Sequence, residues 1–138
     1  MAKEDFVQAV KQIVARFRSG ALDEGYLGYC ALFKDDAFPT NSAQDQRQAL
    51  RLMILLKGAP SKPTEAMIEA HQAAIPVLTE LVNNYGEPAD YELLGVCYVL
   101  LGDPQSADRA FRAGLAIERG RNPQSDLCGS FMKRISFL

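Results

Sequence analysis

This 138-residue chain has one histidine, three cysteines and a net charge of only −2, and each shortage excludes something. With His71 alone, a metal site lacks nitrogen donors, and Cys30, Cys97 and Cys128 lack the C-x-x-C spacing of zinc or redox centres. An odd, scattered set of cysteines fits small buried thiols in a reducing compartment rather than a disulfide framework. Apolar runs such as Leu52 to Leu56 are far too short to span a bilayer. The opening MAKEDFVQAV has acids at positions 4 and 5 and no apolar stretch of secretory length. No signal peptide is therefore expected, and the expected location is cytoplasmic. The slight acidic excess argues against a nucleic-acid partner. There is no phosphate-binding P-loop, no glycine-rich dinucleotide fingerprint and no nucleophile elbow.

The remaining charge is unevenly placed. Residues 104–138 hold six Lys/Arg against three Asp/Glu, whereas 1–46 hold five against seven and 47–103 four against seven. A basic last quarter can meet an acidic partner or form a solvated face.

Nearly everything present reads as helix. Over 3–18, Phe6, Val7, Val10, Ile13, Val14 and Phe17 recur at three- and four-residue spacing until Ser19-Gly20. Residues 22–34 form a second, shorter segment in which two glycines weaken the pattern. DDAFPTNS (35–42) reads as a loop, with Asn41 or Ser42 as the next cap. A helix over 43–57 is expected to bury Ala49, Leu50, Leu52, Met53, Leu55 and Leu56. After GAPSKP (58–63), Ser61 or Thr64 starts a long segment to Tyr85, with Pro76 expected to kink it. No stretch alternates apolar and polar residues with period two, so no sheet is expected.

Candidates for chemistry are few. His71 lies in register with Ala74, Leu78, Leu81 and Tyr85, the position of a packed or rim side chain. Asp23-Glu24 and Asp35-Asp36 are sequence neighbours, which point apart on a helix; a general acid–base pair needs one carboxylate desolvated beside the other. Cys97 has no histidine placed to activate it. The expectation is a protein that is not an enzyme and needs no cofactor.

The stretch YELLGVCYVLLGDPQSADRAF (91–111) is more specific. Counting Pro88 as position 1, Tyr91 falls at 4, Leu94-Gly95 at 7 and 8, Tyr98 at 11, Ala107 at 20 and Phe111 at 24. This resembles the tetratricopeptide repeat, a 34-residue helix–turn–helix unit. Gly95 and Ala107 are small where two antiparallel helices cross, Tyr98 and Phe111 fill the space beside them, and Gly102-Asp103-Pro104 makes the turn. Two positions depart from the pattern: position 27 is Gly114 rather than alanine, and position 32 is Arg119 rather than proline. One period earlier, Lys57, Pro60 and Ser61 stand where the aromatic, leucine and glycine belong, although Ala73 and Val77 suit a second helix. LGYC at 27–30 echoes LGVC at 94–97 without a second-helix pattern after it.

The resemblance implies an all-α stack of antiparallel helical hairpins with about seven helices. It comprises an N-terminal pair with its loop over 1–42, a degenerate pair over 43–87, the clear unit over 88–121, and a terminal helix over 124–138 covering the last pair's apolar edge. In that family the first helix of each pair lines the concave surface, which here assigns a partner groove to Ala89, Glu92, Leu93, Val96, Val99 and Leu100. Members that grip a carboxylate tail place Lys, Arg or Asn there, and this helix has none. The implied partner is a protein offering an apolar helix or extended segment. In length and acidity the chain is similar to the short bacterial tetratricopeptide chaperones of specialised secretion systems, which shield apolar segments before export. The alternative is a structural or regulatory subunit whose apolar surface makes a homodimer or a place in an assembly. The face could also be covered by the chain's own N-terminal helices.

Overall fold

The computed structural model describes residues 1–138 as seven α-helices and one 3-10 turn, without strands. The helices are α1 (Lys3–Arg18), α2 (Leu22–Lys34), α3 (Ala43–Ile54), α4 (Glu65–Tyr85), α5 (Pro88–Leu100), α6 (Pro104–Arg121) and α7 (Asp126–Ser136). The all-α expectation holds. The chain divides into two compact units, Met1–Val77 and Leu78–Leu138, and the division falls inside α4 just past Pro76. No helix is long and apolar enough to cross a membrane.

In the first unit, α1 and α2 form an antiparallel pair whose crossing explains the two glycines of α2. A methyl group at Gly25 would lie 2.6 Å from Phe17 Cε2, and one at Gly28 would lie 2.8 Å from Ile13 Cγ1. Glycine weakens an isolated helix by about 0.5–1 kcal/mol, but here it admits the partner helix and tertiary packing decides. LGYC thus echoes LGVC through a close helix approach. Its partner, however, precedes it in sequence, whereas the partner of Gly95 follows. Phe17 meets Tyr26 edge to face at 5.0 Å and tilts against Tyr29 at 5.8 Å.

Two local expectations need correction. The loop after α2 carries a 3-10 turn at Phe38–Thr40, because Phe38 is fully buried against Phe33 and Phe6. Asp35 Oδ1 accepts the Ala37 N–H, and the buried Asn41 donates its amide to the Phe38 carbonyl at 2.9 Å. Ser42, not Asn41, caps α3 by accepting the Asp45 N–H. Then α3 ends at Ile54, three residues earlier than expected, and Leu52 and Leu55 are exposed rather than buried. Five consecutive apolar residues sweep more than a full helical turn, so they cannot share one buried face. Gly58 at positive φ and Pro60 then stop any continuation.

Thr64 caps α4 by accepting the Met67 N–H, and the helix runs unbroken through Pro76. His71 is 1% exposed, whereas Tyr85, in the same register, is 54% exposed near the helix end.

In the second unit, α5 and α6 pair antiparallel. Glu87 meets Arg121 at 3.1 Å at one end of the pair, and Gly95 faces Phe111 nearer the other. The turn is built from Gly102 at φ 76°, Asp103 accepting the Ser106 N–H at 3.1 Å, and Pro104 in the first turn of α6. Ser125 caps α7, which packs on α6 through Phe131. Ala107, Phe111, Leu115, Cys128 and Phe131 form the buried cluster, with Tyr91, Val96, Tyr98, Leu127 and Ile135 packed around it.

Candidate functional site

The face of α5 assigned to a partner takes its geometry from two contacts of that helix. On one side Gly95 lets α6 approach until the Phe111 ring edge occupies the space a side chain would fill. On the other, α7 is tied to α5 by Glu92. Glu92 Oε2 accepts the Ser130 hydroxyl at 2.6 Å and Arg134 Nε at 3.1 Å. Gly114, where the repeat pattern expects alanine, sits where Phe131 of α7 and Tyr91 of α5 converge, and a methyl group there would meet both. The departure from the pattern is the seat of the terminal helix.

The six assigned residues therefore have different surroundings. Leu93 is 2% exposed. Ala89, Glu92, Val96 and Leu100 are half-buried, with Glu92 bonded to α7 and Val96 packed on the Phe131 cluster. Val99 is 48% exposed. In this unit the element that reaches the face is α7, which had been expected only to cover an edge. What stays open is an apolar recess of about 170 Å³ formed by Val96, Val99, Phe111, Arg134, Phe137 and Leu138. Phe137 and Leu138 were missed by sequence reasoning. Their signal was two adjacent large apolar residues just past the end of α7, separated from the basic pair Lys133-Arg134 by Ile135 and Ser136. The recess carries no free cation, because Arg134 is committed to Glu92. Its chemistry is dispersion and burial of apolar surface.

The other chemistry-bearing residues lie elsewhere. His71 Nδ1 donates to the Met67 carbonyl at 2.7 Å, and its ring lies 6.3 Å from that of Tyr26. Burial holds its pKa below the ordinary 6.5, partly offset by that hydrogen bond. Burial pushes the Cys97 thiol up to about 12, which keeps it protonated and poorly nucleophilic. Burial also raises Tyr29 to about 12, with Tyr26 adding to the shift. The paired acids are all exposed: Asp23 accepts the Thr64 hydroxyl at 2.9 Å, Glu24 meets Arg16 at 3.2 Å, and Asp35 caps its own loop. No three His, Cys, Asp or Glu side chains converge as metal donors. No family model, curated protein or solved structure matches the chain.

Proposed function

We propose that this chain is a non-enzymatic protein–protein interaction module of tetratricopeptide type, an adaptor or small chaperone that holds an apolar segment of a partner. One observation carries the proposal. Val99 at 48%, Phe137 at 79% and Leu138 at 44% exposure surround a mainly apolar recess beside the α5–α6 pair, and the one cation lining the recess, Arg134, is paired with Glu92. Clustered exposed apolar side chains mark interaction sites more often than scattered ones do. An apolar side chain entering the recess would replace water against Val96 and Phe111 at about 25 cal/mol per Å² of surface buried. The similarity to secretion chaperones is one of architecture, a short acidic stack of helical pairs, and it suggests aggregation-prone helices or extended segments as cargo.

A photo-crosslinking phenylalanine derivative at position 99 tests the proposal in the source cell. The expected result is a discrete crosslinked band containing a second protein, absent when the derivative is placed at exposed Gln105. Crosslinks only between copies of the chain would favour the structural-subunit alternative, and none at either position would refute the binding face.

A further inference from the structure

We infer a second docking surface, in the N-terminal unit, that takes an acidic amphipathic segment of a partner protein. The inference rests on the interaction-module reading and adds a partner chemistry to it. A groove of about 290 Å³ opens where the end of α1, the start of α2 and the end of α3 converge. Val14, Phe17, Leu22, Leu52 and Leu56 form its walls, and the buried Tyr29 contributes to its lining. Leu52 is 37% exposed and the neighbouring Leu55 42%, because the apolar run at 52–56 outruns the face that α3 can bury. The volume is close to the lower end of ordinary ligand pockets, about 300–1,000 Å³.

Charge selects the occupant. The charged side chains lining it are Arg18 and Lys57, and no carboxylate lines the groove. Both cations are exposed and neither forms an ion pair, whereas Lys3 and Arg16 of the same unit are paired with Asp45 and Glu24. An apolar trough with two unneutralised cations complements a helix or turn that presents apolar anchors three or four residues apart, flanked by Asp or Glu. A basic or neutral apolar segment would fill the same trough but leave the cations unmatched. The recess at Val99 differs in this respect, since its one cation is already bonded to Glu92.

The test is fluorescence anisotropy of the full chain with two labelled peptides, DELLEELFDE and its charge-inverted counterpart KRLLKKLFKR. The acidic peptide is expected to bind at least about tenfold more tightly, with the preference shrinking between about 50 and 300 mM salt. Arg18→Glu/Lys57→Glu should reverse the preference. Leu52→Glu should weaken both peptides, and Val99→Glu should change neither. Equal affinity for the two peptides, or a preference indifferent to the double charge reversal, would overturn the inference. So would failure of both peptides to bind together with a dimer that Leu52→Glu dissociates, since the occupant would then be a second copy. Val99→Glu separates this surface from the first: peptide binding lost there alone would mean the wrong groove had been assigned.

Discussion

Glu92 and Arg134, forty-two positions apart, meet at 3.1 Å with the glutamate side chain only 15% exposed, and Ser130 shares the same carboxylate oxygen. This arrangement fastens α7 across α5. Surface ion pairs are usually worth well under 1 kcal/mol, but a shielded carboxylate taking two hydrogen bonds is worth more. Glu92→Ala is expected to cost about 1–2 kcal/mol and to raise amide hydrogen exchange selectively in α7. Uniform exchange with unchanged stability would show that α7 is held by its apolar face alone.

The two glycines Gly95 and Gly129 should respond in opposite directions to alanine. Both lie inside helices, where alanine gains up to about 1 kcal/mol in propensity. At Gly129 nothing lies within 4 Å of the new methyl, so Gly129→Ala should raise Tm. At Gly95 the methyl lands on the buried Phe111 ring, itself packed 6.3 Å from Phe131, so the ring cannot swing away freely. Overpacking of about 1–3 kcal/mol exceeds the propensity gain, and Gly95→Ala should lower Tm, with Gly95→Leu lower still. Thermal melts of the three variants decide it, and an unchanged Tm for Gly95→Leu would contradict the close α5–α6 crossing.

His71 makes the fold acid-sensitive. Its folded pKa lies below the ordinary 6.5, chiefly because burial disfavours the imidazolium. The stabilisation is complete above about 6.5 and is lost as pH falls from there through the lower folded value, since the unfolded chain takes up a proton first. Melts between about pH 7.5 and pH 5 should therefore show a declining Tm in wild type and a shallower decline in His71→Gln. Identical slopes would mean that His71 is solvated in the folded state.

Much of this fold was legible from the sequence. The α5–α6 turn was readable because Gly102, Asp103 and Pro104 each act within a few residues of themselves, and the cap at Ser42 was one of two named candidates for the same reason. The end of α3 was not, because the apolar run 52–56 supports helix continuation without saying which residues face inward. Phe38 anchors its loop through aromatic partners that local pattern cannot identify. At the candidate site, Val99 was legible from its repeat position. The docking of α7 at Glu92 depends on side chains 38 and 42 residues away, beyond any local periodicity.

The central proposal, a partner held at the Val99 recess, is tested most directly by tagged recovery from the source cell with mass spectrometry, comparing wild type with Val99→Glu. Val99 is exposed, so the variant should keep its helical circular dichroism and Tm. The account predicts a protein partner recovered with wild type and lost with the folded variant. Recovery of the same partner by both, or of no protein but the chain itself by wild type, would contradict it.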